Sequence, residues 1–391
     1  MSKWIAFLWF FSVCALEVDV ACPSAILMNA ETGAILYEKN AHMRRCPAST
    51  TKIGTLLFLL DQKNLVLDKK VRASPEALRI KPPKWTEETP AYWDEVDGTK
   101  MRLVPGELLS VDSLLHGLVL VSGNDAANVL AESCSSSIPD FLDELNRYLQ
   151  GIGCTQTQFL NPHGLHHDLH MTTAYEMGLM MKNGLQIPKF RELMAVPLYT
   201  RPKTNKQKSS EMVAINPMLK QGNKHFDPRV IAGKTGYHSK AGYNLVTAAE
   251  QNGRTLIAVL FGGAKRTDRY EDAKRLFDAA FRETPVSETL FNLTHLFAHP
   301  LVDAEQPIQA VLRESLVITY FPSERQAYKA YVHWDPLELP VKKGQRVGEV
   351  RIADSFGKIV QVGELVAKED VSPTWSASMK KRWDKITSYF F

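Results

Sequence analysis

Ser49-Thr50-Thr51-Lys52 sets a hydroxyl and an amine three residues apart. On a helix that spacing puts both on one face, so the lysine amine can rest against the serine hydroxyl. Serine is a weak nucleophile until a base takes its proton, and a lysine serves as that base when burial and positive neighbours lower its pKa. Read alone, the tetrad also fits a helix cap followed by a surface lysine. Two further groups change its meaning. Ser122-Gly123-Asn124 follows an apolar helical segment, and Lys234-Thr235-Gly236 follows Ile231-Ala232-Gly233 at the end of an expected strand. A second serine can relay a proton, and an asparagine can hold a substrate amide. A lysine on an edge strand supplies positive field, and a glycine beside it lets backbone approach the substrate. His163, His166, His167 and His170 form a weaker constellation. Two pairs lie four apart, as on one helical face, but Pro162 and Gly164 argue for a loop and no His-Glu-x-x-His is present. They read as solvated loop histidines, and neither metal nor cofactor is expected.

The elements that must hold these groups read as α+β. Ala25-Ile26-Leu27-Met28 and Ala34-Ile35-Leu36-Tyr37 flank a glycine-containing loop, which predicts a hairpin. A helix starting near Ser49 carries Ile53, Leu56, Leu57 and Leu60. Residues 80–106, rich in Pro and Trp, lack periodicity and read as a long surface loop over a groove. Ser110 is an N-cap candidate for the apolar segment 114–121, and residues 139–149 form an amphipathic helix. Thr173-Ala174-Tyr175-Glu176 fits a capping box. Strands follow from Val230, over 243–248 and over 255–261, the last two joined by the hairpin signal Asn252-Gly253, and then a helix over 268–283. After Pro285 short strand-like runs at 316–321, 327–332 and 347–352 suggest a small all-β domain. Strands, then helices, then strands exclude a regularly alternating βαβ chain.

The 391 residues suggest two or three domains, and 45% hydrophobic with 23% charged residues is ordinary globular composition. A net charge of +4 is too balanced to argue for nucleic acid. Lys3 followed by a short apolar run and Val13-Cys14-Ala15 is secretory-signal grammar; the run is shorter than the roughly 20 residues that span a bilayer. Cleavage there leaves Cys22, Cys46, Cys134 and Cys154, with their pairing open. At the other end, Ser372-Pro373 reads as a helix start. Trp375, Met379, Trp383, Ile386 and Phe390 then share one face, with Lys380, Lys381, Arg382 and Lys385 on the polar side. Such a helix suits a membrane surface, and packing on protein is the alternative. The expected organisation is a signal peptide over 1–15, a catalytic domain over 16–284, a β-rich domain over 285–371 and an anchor helix over 372–391.

Ser-x-x-Lys, Ser-x-Asn and Lys-Thr-Gly in this order are the signature of penicillin-recognising serine enzymes. The chain resembles the low-molecular-mass penicillin-binding proteins that act as D-alanyl-D-alanine carboxypeptidases. Arg44-Arg45-Cys46-Pro47-Ala48-Ser49 is similar to that family's run into the nucleophile, with Cys46 where Asp is usual. Asn161-Pro162-His163-Gly164-Leu165, residues 240–246 and Pro340-Val341-Lys342-Lys343-Gly344 extend the likeness, as does the tail. The resemblance implies a transpeptidase-like domain, an antiparallel sheet with a helical subdomain, followed by a β domain. It implies acylation of Ser49 by a peptidoglycan stem peptide or a β-lactam, with Lys52 as base and Ser122 and Asn124 assisting. It places the substrate carboxylate near Lys234, Thr235, Gly236 and Arg269, and an oxyanion hole at the backbone N–H groups of Ser49 and His238. It implies action outside the cell, at the outer face of the cytoplasmic membrane. Tyr237 stands where several relatives carry His, and no arginine matches near Ile215-Asn216. A β-lactamase, a D,D-endopeptidase and a non-catalytic scaffold binding wall peptide are the alternatives. No glutamate of the kind a lactamase uses for deacylation occurs between Asn161 and Thr172.

Overall fold

The computed structural model describes residues 5–9, 16–84, 86, 88–355 and 357–380. It divides into two compact units, residues 15–282 and residues 1–14 with 283–391.

The larger unit is built on a five-stranded antiparallel sheet. Its strand order is Ile35–Lys39, Ser24–Asn29, Arg254–Gly263, Gly242–Gln251 and Val230–His238. Successive side chains on a strand face opposite ways, and here both faces are covered. Ile26, Met28, Val246, Ala248, Ile257 and Val259 enter the core shared with most of the helices. The alternating set Ala25, Leu27, Leu245, Ala249, Leu256 and Leu260 packs with Leu276 and Phe277 of the last helix. Two-sided burial is why these strands read as nearly continuous apolar runs. The Asn252-Gly253 hairpin turns with φ of 53° and 75° at its two residues, the left-handed geometry that favours this pair.

Among the described residues of this unit, seven α-helices accompany the sheet: α1 (Lys52–Asp61), α2 (Val111–Leu120), α3 (Asn124–Cys134), α4 (Ile138–Gly151), α5 (Ala174–Gly184), α6 (Pro188–Ala195) and α7 (Asp268–Phe281). Ser110 caps α2 by accepting from Ser113 N at 3.2 Å, and Thr173 caps α5 by accepting from Glu176 N at 3.1 Å. The Thr173 capping box is only half made. The Glu176 carboxylate instead accepts from Gln156 N at 2.8 Å and Thr157 Oγ1 at 2.6 Å, fastening the loop after α4. Helix α6 and a small hairpin, Leu198–Arg201 with Ser210–Val213, have no counterpart in the sequence reading.

The smaller unit holds a six-stranded antiparallel sheet in the order Ile5–Trp9, Tyr328–Trp334, Arg346–Ala353, Ile359–Ala367, Ile308–Leu312 and Phe297–His299. A separate ribbon pairs Val286–Phe291 with Leu316–Tyr320. Ile308, Val332, Val350, Ile352 and Leu365 lie in its own core. Ile5–Trp9, inside the expected leader, is therefore an edge strand here, paired with Tyr328 to Val332; the rest of the leader lies outside the described residues. The C-terminal helix begins two residues later than expected. Pro373 forms a bridge with Ala304, and Thr374 takes the capping place, accepting from Ala377 N at 3.4 Å. Residues 375–380 are helical, with Trp375 and Met379 exposed. Trp383, Ile386 and Phe390 of the expected apolar face lie outside the described residues. Among those described, no helix is long and apolar enough to cross a membrane.

Candidate active site

Ser49 lies in the tight helical turn Ala48–Thr51, which runs directly into α1. Ala48 has φ 49°, a conformation that costs a residue with a Cβ and persists only where its surroundings hold it. Those surroundings are a side-chain amide and closely approaching backbone. Asn244 Nδ2 donates to Cys46 O at 2.9 Å and to Pro47 O at 3.0 Å, and Asn244 Oδ1 accepts from Gly262 N at 2.9 Å. The central sheet is thereby stapled to the turn before the nucleophile. Gly236 lies so close that a Cβ there would come within 2.8 Å of Pro47 O and 3.1 Å of Ser49 N. Gly164, at φ 97°, has no room for a Cβ against Ala48 O. Both glycines are needed for close approach as much as for freedom.

Lys52 is buried in the first turn of α1. Its Nζ donates to Ser49 Oγ at 3.2 Å, Asn124 Oδ1 at 2.8 Å and His163 O at 2.7 Å. Burial, and then the charge of Lys234, hold this amine well below the ordinary lysine range, with Asp94 and Asp125 pulling the other way. An amine with its pKa lowered in this way sheds a proton more readily and can then act as a base toward the serine hydroxyl beside it. Across the site, Lys234 Nζ donates to Ser122 Oγ at 2.9 Å and Thr235 O at 3.0 Å. Burial first, then Arg269, lower its pKa to about 7. Ser122 has φ 58°, and Thr99 Oγ1 donates to its carbonyl at 2.8 Å. The three sequence motifs thus meet through two lysine–serine pairs, and Asn124 links to the first.

The long segment 80–106 proves to be part of the site rather than a cover alone. Asp94, buried, accepts from Asn124 Nδ2 at 2.8 Å and pairs with Lys100 at 3.2 Å. Asn124 is therefore fixed at both ends of its amide. Asp125, next in sequence, accepts from Met101 N at 2.8 Å and Leu103 N at 3.0 Å, pinning the end of the same segment to α3. The histidine loop also departs from expectation. His163 and His170 are buried, not solvated. His163 Nδ1 accepts from Leu165 N at 3.2 Å while Nε2 donates to Tyr92 O at 2.9 Å. His170 Nδ1 accepts from Leu160 N at 3.0 Å, and its Nε2 lies 2.9 Å from Thr51 Oγ1, whose proton goes to Ala48 O. Both rings are neutral: burial and then the Lys52 charge hold His163 at about 3, and burial, followed by the neighbouring histidines, lowers His170. With both nitrogens engaged, they serve as struts behind the nucleophile.

A cleft of about 770 Å³ opens over these groups, lined by Ser49, Ser122, Asn124, Thr235, His238 and Arg269 among others. Val230–His238 is the edge strand of the sheet, so its free side faces the cleft. Arg269 reaches the cleft with most of its donors already spent. Nη1 donates to Gly236 O at 2.9 Å and Asn244 O at 2.8 Å, and Nη2 to Tyr270 Oη at 2.7 Å. It braces the strand that carries Lys234 and contributes charge. Arg266, absent from the sequence reading, is exposed and lines the same cleft, as do Glu95 and Asp97. Asn244 was also missed. Only its position on a strand beside the Lys-Thr-Gly strand could have drawn attention to it. His238 ends that strand, and burial followed by His166 lowers its ring to about 4. Cys22, Cys46, Cys134 and Cys154 are all unpaired.

Residues 12–265 match the D-alanyl-D-alanine carboxypeptidase family, and residues 302–373 match the C-terminal domain of penicillin-binding protein 5. The chain is 29% identical over 382 residues to the D-alanyl-D-alanine carboxypeptidase DacF of Bacillus subtilis, covering 95% of this chain and 92% of that one. Among solved structures it is similar to penicillin-binding protein 5 of Haemophilus influenzae, with TM-score 0.62, 26% identity and coverage of 91% of this chain and 99% of that one. The fold is also that of the carboxypeptidase DacD of Francisella tularensis, with TM-score 0.63, 22% identity and coverage of 94% and 97%. Matched over most of its length, and with two lysine–serine pairs meeting in one cleft, the chain belongs to the D-alanyl-D-alanine carboxypeptidase family of serine hydrolases.

Proposed function

We propose that this protein removes the terminal D-Ala from peptidoglycan stem peptides through an acyl-enzyme on Ser49. The observation that carries the reading is the buried Lys52 amine 3.2 Å from Ser49 Oγ, its pKa lowered by burial and by the charge of Lys234. Lys52 takes the serine proton as Oγ adds to the carbonyl carbon of the penultimate D-Ala. The oxyanion that forms accepts from the backbone N–H groups of Ser49 and His238; one such donor is worth about 3–4 kcal/mol at the barrier. Ser122, in contact with Lys234, passes a proton to the leaving amine, and free D-Ala departs. The proton that Lys52 took replaces the one Ser122 gave up; Lys52 then takes a proton from the water that adds to the ester carbonyl and returns it to Ser49 Oγ as the ester C–O bond breaks. Asn124 positions the substrate amide. Thr235, Lys234 and the positive charge of Arg269 receive the terminal carboxylate.

The same chemistry makes β-lactams covalent inhibitors at Ser49. Export to the outer face of the cytoplasmic membrane, and attachment there through the basic C-terminal segment 372–391, complete the reading. A chain ending at Val371 is expected to lose binding to anionic vesicles that the full chain retains.

The test is release of D-Ala from a stem pentapeptide by the wild type and by Ser49→Ala. Release that vanishes in the variant is expected. A β-lactam adduct on Ser49 without release would move the activity to an endopeptidase. Neither release nor adduct would leave a scaffold that binds wall peptide.

A further inference from the structure

Cys46, His166 and His238 come from three separate segments: the turn before the nucleophile, the histidine loop and the end of the Lys-Thr-Gly strand. One ligand atom from each lies within 4.8 Å of the others. We propose that these three side chains form a binding site for a thiophilic transition-metal ion, with Zn²⁺ the ion that the donor set fits.

The chemistry is specific. A thiolate and two imidazoles are standard zinc donors, and Zn–S near 2.3 Å with Zn–N near 2.0–2.1 Å sets sulfur and nitrogen about 3.6 Å apart in a tetrahedral site. Cys46 Sγ and His166 Nδ1 are 4.0 Å apart, so a small side-chain movement closes the geometry. His166 is already oriented for the task. Its Nε2 lies 3.2 Å from Asp168 Oδ1, so Nε2 holds the proton and Nδ1 turns its lone pair toward the sulfur. A carboxylate behind a ligating histidine is the usual supporting arrangement. His163 and His170 are excluded, because both of their ring nitrogens are engaged. The site is partly exposed at all three residues, which leaves an ion a route in. The fourth position falls to water, or to the Met171 thioether, whose sulfur lies 3.8 Å from Cys46 Sγ. A thioether there suits Cu⁺.

Binding has a structural cost that identifies it. His238 Nδ1 now accepts from Ala241 N at 3.1 Å, so its proton sits on Nε2. Ligation through Nε2 moves that proton to Nδ1 and breaks the bond; ligation through Nδ1 displaces the Ala241 N–H directly. Either way the Ala241 N–H, now shared with His238 O at 3.0 Å, is left with that carbonyl alone, and the Cys46 thiol proton is released to solvent. The loaded ion ties together three segments that surround Ser49.

The full chain is stripped with chelator, equilibrated with Zn²⁺, desalted and analysed for metal. One equivalent is expected on the wild type and essentially none on Cys46→Ser or His166→Ala, with both variants still acylated by penicillin. Co²⁺ is expected to give a thiolate charge-transfer band that Cys46→Ser lacks. Loading is expected to speed hydrogen exchange at the Ala241 amide. Should His166→Ala fail to fold, His166→Gln and Cys46→Ala serve in its place. Retention of Cu⁺ in preference to Zn²⁺, lost in Met171→Leu, would support the same site with the thioether as fourth ligand. No retained ion, or retention unchanged in the Cys46 and His166 variants, would overturn the proposal.

Discussion

Lys52 and Lys234 have the same side chain and opposite duties, and the difference lies in their surroundings. Under the proposed mechanism Lys52 must be neutral to take a proton from Ser49, whereas Lys234 must be charged to hold a carboxylate. The signs fix the pH profile. As pH rises through the depressed pKa of Lys52 the base appears and activity increases; as pH rises through about 7 the free enzyme's Lys234 loses its charge and affinity falls. A bound carboxylate raises the Lys234 pKa again. The alkaline limb of kcat is therefore expected at higher pH than that of kcat/KM, and coincident limbs would remove Lys234 from the carboxylate contact. Gly236 offers a second check at this scale. A Cβ there meets only backbone atoms of the nucleophile turn, so nothing flexible can yield. Gly236→Ala is expected to slow penicillin acylation about 100-fold, the usual effect of displacing a reacting atom by about 1 Å.

At the scale of elements, the site depends on ties that cross between segments far apart in sequence. Asn244 joins the strand Gly242–Gln251, next to the edge strand, to the turn before Ser49. Asn244→Ala takes a donor from Cys46 O and an acceptor from Gly262 N, while Pro47 O keeps Thr50 Oγ1, and is expected to cost about 2 kcal/mol. Urea denaturation measures that loss, and acylation should slow in the same variant. These ties also explain what could be read in advance. The hairpin of residues 24–39, the caps at Ser110 and Thr173 and the Asn252-Gly253 turn were legible because each is decided by neighbours in the chain. Ser49, Lys52, Ser122, Asn124 and Lys234 stood out through their three motifs; Lys52 and Asn124 begin helices, whereas Lys234, expected at a strand end, lies mid-strand in Val230–His238. Asp94, Asn244 and Arg266 did not stand out. Asp94 sits in a segment without periodicity, and its role follows only from where that segment folds back onto Asn124. Arg269 stood out by position, but only the fold reveals that Gly236 O, Asn244 O and Tyr270 Oη already take its protons.

For the whole molecule, the division into two units has a direct consequence. Residues 15–282 contain the complete cleft and two hydrophobic cores that cover both faces of their sheet. The smaller unit has a core of its own. A chain of residues 15–282 is therefore expected to fold cooperatively and to be acylated by penicillin at a rate within about 3-fold of the full chain, the difference that about 0.7 kcal/mol makes. An unfolded or unreactive product would show that the catalytic unit needs the rest of the chain.

The crowding of cations around the cleft reaches beyond the reaction itself. Lys234, Arg266 and Arg269 gather in one region, and burial has already lowered the pKa of two of them. Like-charge repulsion is thus built into the empty enzyme, and any anion that settles there relieves it in the folded form alone. Occupancy then registers as thermal resistance: a peptide ending in a free carboxylate raises the melting temperature more than its amide does. Phosphate or citrate in an assay buffer competes for the same relief, so the choice of buffer salt becomes part of any affinity measured for this protein.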